Sequence, residues 1–247
     1  MDKGLDYAMG DFLTEQPRLL ELAKLLAPQA SWLLDHLQIQ PGSRAIDLGC
    51  GPLGILDLLA KRVGPKGEVI GIEFEPQFVE IANSLMAERK LDGVRIIQGD
   101  ATATSLPADT FDLVHERLLL ISVHNPEYVA AEMVRLAKPG GIVAVEDFDL
   151  YSFICEPPHP AWTRLFEVVF HTLHPEIGKN SNFGRRNPRL LRAAGLLNVD
   201  YNVHARFSCY DEYYRQTLPL FVKRYWQKIV ELELLTEEEL TDLYEQL

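Results

Sequence analysis

Asp47 ends a short apolar run, Arg44-Ala45-Ile46-Asp47-Leu48, and the glycine loop Gly49-Cys50-Gly51-Pro52-Leu53-Gly54 follows at once, before a helical stretch. A carboxylate at a strand end suits an ammonium group or hydroxyls. Glycines let backbone approach a ligand and tolerate positive φ. The helix N-terminus beyond them offers free N–H groups and partial positive charge, which suits a carboxylate or phosphate. A site offering both ends fits a nucleoside that carries an amino acid. The string also fits the dinucleotide fingerprint G-x-G-x-x-G, and a plain turn without ligand is a third reading.

Glu73 closes the next strand, where an acid accepts hydrogen bonds from ribose hydroxyls, and Phe74 beside it offers a face to adenine. Gly99-Asp100-Ala101 closes the third strand; Asp100 suits an exocyclic amine, with the Ala101 N–H nearby, or else simply caps the following segment. Three acids at three successive strand ends are a sharper constellation than any one of them. A pyrophosphate would not tolerate Asp47 nearby, which favours a sulfonium nucleoside. His115, best placed among His115, His124, His171 and His174, is the candidate general base. Glu146, Asp147 and Asp149 cluster at the fifth strand's end, with Glu146 and Asp149 as candidate catalytic groups, or as a solvated rim. No His or Asn spacing accompanies these carboxylates, so no metal is expected.

The elements that must hold these residues alternate. Strands are expected at 44–48, 68–73, 94–98, 111–115 and 142–146, with helices at 54–62, along Phe78, Ile81, Ala82, Leu85 and Met86, and at 126–137 behind Asn125-Pro126. Repeated β-α units predict an α/β fold, a doubly wound and mostly parallel sheet, with ligands at the carboxyl ends of its strands. Residues 1–40 read as an N-terminal helical cap that Pro28 breaks into two helices. Residues 41–149 form the core and 150–187 an insertion, all in a single 1–247 domain. Tyr151, Phe153, Trp162, Phe166, Phe170 and Phe183 line an apolar substrate pocket or merely pack helix on sheet. Within 188–247 come a helix at 188–194, a weak edge-strand alternation from Val199 to Phe207, and helices, the last opened by a Thr236/Glu239 capping box.

At 247 residues and 47% hydrophobic, the chain can bury a sizeable core. A net charge of −12 argues against a general grip on nucleic acid. Cys50, Cys155 and Cys209 form no disulfide or zinc pattern, and neither a signal peptide nor a membrane span is evident, so a cytoplasmic location is expected.

Asp47-Leu48-Gly49-Cys50-Gly51-Pro52, Glu73, Gly99-Asp100-Ala101, Phe111-Asp112-Leu113-Val114 and Leu136-Ala137-Lys138-Pro139-Gly140-Gly141 occur in order over roughly residues 30–150. Together they resemble the class I S-adenosylmethionine-dependent methyltransferases, in particular the small-molecule branch typified by ubiquinone/menaquinone-biosynthesis enzymes. The resemblance implies S-adenosyl-L-methionine as cofactor and an aromatic, lipid-like or natural-product acceptor. It implies a cofactor site of Asp47, Gly49, Cys50, Gly51, Glu73, Phe74, Gly99, Asp100 and Ala101, with Glu116 and Arg117 flanking the methionine moiety and substrate, and Tyr7 and Arg18 closing over it. It also implies seven strands, the last antiparallel. No seventh strand is legible after Phe207, so either the sequence stops early or the edge is completed otherwise, a homodimer being one way. Two other classes stay open: an NAD-dependent oxidoreductase, and a protein that keeps the cofactor fold without methylating.

Overall fold

The computed structural model describes residues 12–206 and 212–247, with side chains over 16–206 and 215–247. In chain order the elements are α1 (Phe12–His36), β1 (Arg44–Leu48), α2 (Leu56–Val63), β2 (Glu68–Glu73), α3 (Pro76–Arg89), β3 (Val94–Gln98), β4 (Phe111–Arg117), α4 (Pro126–Leu136) and β5 (Ala137–Glu146). Then follow α5 (Pro160–Phe166), a π-helical run Glu167–Leu173, α6 (His174–Glu176), α7 (Asn187–Ala193), α8 (Glu212–Glu231) and α9 (Glu237–Tyr244). The chain divides into two compact units, one running to Asp147 plus Arg186–Tyr201, the other joining Phe148–Arg185 to Asn202–Leu247.

The first unit holds a five-stranded, all-parallel sheet in the order β3-β2-β1-β4-β5. Its core packs α1 and α2 on the sheet through Ala30, Leu34, Leu56, Leu59, Ala45, Leu113 and Ala144. Strand order reverses between β1 and β4, whose register pairs Asp47 with His115. In an open α/β sheet that reversal, at the carboxyl ends, is where ligands bind.

Two expectations are corrected here. Pro28 does not divide the N-terminal helix, since α1 runs through both Pro17 and Pro28. An interior proline costs about 3 kcal/mol. Leu22, Leu26, Ala30 and Leu34 nevertheless form one buried i, i+4 row, and each buried leucine contributes roughly 1.5–3 kcal/mol. Packing outweighs the local break. The second correction concerns the sheet: among the described residues it has five strands, not seven, and 199–206 pairs with none. Leu197, Tyr201 and Val203 are exposed there. Phe207 lies outside the described residues.

In the second unit, α5, the π-helical run, α8 and α9 pack together, and the Thr236/Glu239 capping box forms with both reciprocal bonds. Among the described residues no helix is long and apolar enough to cross a membrane.

Candidate functional site

The glycine loop is shaped by what it touches. A Cβ at Gly54 (φ +55°) would lie 2.7 Å from both Asp47 Oδ2 and the Cys50 carbonyl oxygen, so only glycine lets the loop fold down on the acid. Gly49 (φ +67°) is roofed by Leu119, whose Cδ1 would be 2.8 Å from a Cβ. The Gly51 N–H donates to Glu73 Oε2 at 2.8 Å, tying the loop to the end of β2. Glu73 Oε1 accepts the Glu75 N–H at 2.9 Å. Burial lifts the Glu73 carboxyl above its ordinary value, against these backbone donors.

Beside the loop, Asp47 is 2% exposed and His115 fully buried. His115 Nδ1 meets Asp47 Oδ1 at 2.8 Å and Nε2 meets Glu146 Oε1 at 3.0 Å. Burial opposes a charged ring, but hydrogen bonds and charge from the two carboxylates outweigh it and raise His115 to about 9. That pull favours the imidazolium, in which both nitrogens donate and no lone pair is left to take a proton. His115, the expected general base, sits as a buried bridge between two carboxylates. Glu146 serves that bridge, and Asp149 lies in the other unit, where Arg185 and the Ser152 hydroxyl hold its Oδ2.

Arg117, on the same strand end, donates from Nη2 to the Gly54 carbonyl at 3.3 Å, while its buried Nη1 has no partner among the described residues. Asp100 uses Oδ1 to accept the Thr102 N–H and hydroxyl at 2.8 and 2.7 Å, the capping alternative, while its Oδ2 makes neither bond. The Gly99 N–H donates to the Glu73 carbonyl, holding Ala101 and its neighbours against the end of β2. Phe74 is 44% exposed. Cys50 is buried, its thiol pushed up by desolvation and then by Asp47 and Glu73. Glu116 is wholly buried and accepts the Leu119 and Leu120 N–H groups at 2.9 and 3.3 Å. Tyr7 lies outside the described residues; Arg18 is half-buried on α1.

In the second unit, Phe166, Phe170 and Phe183 are buried and Tyr151, Phe153 and Trp162 half-buried. Trp162 stacks on Phe166 at 4.7 Å, and Phe170 meets His174 and Phe221 edge-on. Half of the aromatic set thus does packing work. His174 is a core residue too: desolvation, then Lys179 and Arg224, depress it to about 3, and its Nδ1 lies 2.6 Å from Ser181 Oγ. Cavities of about 590 Å³ around Met86 and Val94 and about 650 Å³ around Trp226 and Tyr244 contain none of the strand-end acids. Asn187 is the residue that sequence alone did not single out. It comes from α7 and donates to Asp147 Oδ2 at 3.0 Å, a pairing across 40 positions that no local pattern announces.

The fold is an α/β domain whose strand-order reversal is lined by Asp47, His115 and the glycine loop. The chain belongs to the methyltransferase-domain family, whose profile matches residues 39–184. It is 29% identical over 143 residues to a demethylmenaquinone methyltransferase of Listeria monocytogenes serotype 4a, a match spanning 58% of each chain. Among solved structures it is similar to the YcgJ protein of Bacillus subtilis, with TM-score 0.56, 22% identity and coverage of 85% of this chain and 86% of that one. It is also similar to a SAM-dependent methyltransferase from Aquifex aeolicus, with TM-score 0.50, 23% identity and coverage of 66% and 77%. S-adenosylmethionine is the cofactor this family implies. The residues present fit it: a glycine cradle, Asp47 aimed along the loop, and an unpartnered buried Arg117 N–H beside Gly54.

Proposed function

We propose that this chain transfers a methyl group from S-adenosylmethionine to a small-molecule acceptor. The bracketing of Gly54 by an acid and an arginine carries the reading. Asp47 Oδ2 takes the donor's ammonium and Arg117 Nη1 its carboxylate, so the amino-acid end lies along the glycine loop. Glu73 keeps lone pairs for ribose hydroxyls beyond those given to Gly51 and Glu75. Phe74 and Asp100 Oδ2, with the Ala101 N–H, suit adenine. A dinucleotide's pyrophosphate would meet the Asp47 carboxylate, which disfavours the hydride-transfer alternative.

When bound, the donor supplies an already activated methyl group on a sulfonium. The chain's own task is to hold the acceptor in line with that carbon, and alignment is the main source of rate. His115 does not act as base in this reading; it neutralises and orients Asp47 and Glu146. Tyr151, Phe153 and Trp162, half-buried in the second unit, are the residues proposed to contact the acceptor. The Listeria relative's name points to an aromatic, quinol-like acceptor class.

Titration calorimetry with S-adenosylmethionine, S-adenosylhomocysteine and NAD tests the donor, and tighter binding of NAD overturns it. Transfer of labelled methyl to a panel of quinols and phenols tests the acceptor class. A chain that binds the donor yet methylates nothing in an unfractionated metabolite extract would support the non-methylating alternative.

A further inference from the structure

The turn after β4 is fastened one backbone group at a time. Leu118, at φ +60°, donates its N–H to the Glu146 carbonyl at 2.8 Å. The Leu119 and Leu120 N–H groups go to Glu116 Oε2, and the Ile121 N–H goes to Asp147 Oδ1 at 3.1 Å. The Ser122 hydroxyl donates back to the Leu118 carbonyl at 2.8 Å. Four consecutive N–H groups are thereby anchored to the ends of β4 and β5, and a left-handed leucine is held at a cost of about 1–2 kcal/mol. What this fixes is Leu119, the side chain that roofs Gly49.

The anchor is a pair of acids. Desolvation and the charge of Asp147 push Glu116 well above the ordinary carboxyl range, while desolvation lifts Asp147 to about 6, with Asn187, Ile121 and Glu116 counteracting. Glu116 Oε1 is buried and makes no hydrogen bond among the described residues, while Oε2 carries the two turn N–H groups. Asn187 closes the group from α7.

We propose that Asp147 is a positioning residue for the methyl donor: with Glu116 and Asn187 it clamps residues 118–121 so that Leu119 holds the glycine loop in its donor-binding shape. This rests on the donor reading above. The role it assigns to Asp147 is exerted through the turn, by way of the Ile121 N–H.

The test is calorimetry of S-adenosylhomocysteine binding to the full chain, well below the melting temperature of each variant. Asp147→Ala should weaken binding about tenfold, equivalent to about 1.4 kcal/mol. Asp147→Asn should recover to within about threefold, because its amide oxygen still accepts from Ile121 and its NH₂ can meet the partnerless Asn187 Oδ1 after an amide flip. A purely structural role would lower the melting temperature of Asp147→Ala and leave its Kd alone, which overturns the proposal. Equal weakening in Asp147→Asn also overturns it, since charge rather than turn geometry would then be responsible. If Asp147→Ala does not fold, Leu119→Ala decides: about fivefold weaker binding supports the clamp and an unchanged Kd overturns it. Failure of the wild-type chain to bind at all would instead sink the donor reading.

Discussion

Replacing His115 by Gln removes the one positive charge between two buried or half-buried carboxylates, and its effect can be worked out from the site. The imidazolium rises from 6.5 to about 9 on folding, with no exposure of the ring to screen it. At about 1.36 kcal/mol for each tenfold change in proton affinity, the rise corresponds to about 3 kcal/mol of stability. The sign follows from the direction. A group with a raised folded value contributes fully below 6.5 and loses the contribution as pH climbs through about 9. Wild-type stability should therefore fall by about 3 kcal/mol between pH 6.5 and 9.5 from this group alone. At pH 6.5 the variant should be about 3–5 kcal/mol less stable, the usual cost of removing one partner from a buried ion pair. By pH 9.5 the gap between the two proteins should have mostly closed. Urea unfolding followed by circular dichroism at both pH values measures it, and the wild-type minus variant difference cancels the other titrating groups. A difference that stays constant across the range would refute the cationic bridge.

Asp47→Asn should weaken S-adenosylmethionine binding about ten- to hundredfold in calorimetry, the worth of one charge-assisted hydrogen bond; an unchanged Kd would remove Asp47 from the donor site. Gly54→Ala should destabilise by about 2–3 kcal/mol, through left-handed strain plus the 2.7 Å contacts with Asp47 and Cys50. Gly51→Ala, with nothing within 4 Å of its Cβ, should lose only the strain share of about 1–2 kcal/mol; equal melting temperatures for the two would contradict the packing argument. The Cys50 thiol, held protonated by burial and by Asp47 and Glu73, should resist iodoacetamide at pH 8 until urea unfolds the chain. Mass spectrometry finding Cys50 alkylated in the folded protein would show the loop to be open.

What could be seen in the sequence and what could not divide along one line. The first three strands were legible to the residue, 44–48, 68–73 and 94–98, because each is an apolar run closed by an acid, a glycine or both. The Thr236 cap was legible for the same reason, since its whole mechanism spans four residues. Pro28 misled because its local cost is set against a buried row contributed by the rest of the core. β5 starts at Ala137 rather than 142 because Ala137 pairs with Phe111 and a register shift between Phe111 and Leu113 absorbs the Pro-Gly-Gly. That stagger also decides the chemistry of His115. In the ladder Glu146 stands opposite Arg117, yet its carboxylate reaches back to the imidazole. A sequence shows that a histidine and a glutamate end neighbouring strands. Whether they are two residues out of step, so that the acid reaches the ring, depends on how the strands slide, and nothing within either strand fixes that. The strand-end acids and the glycine loop were therefore readable, and the contacts that hold them in place, such as Glu146 on His115 and Asn187 on Asp147, were not.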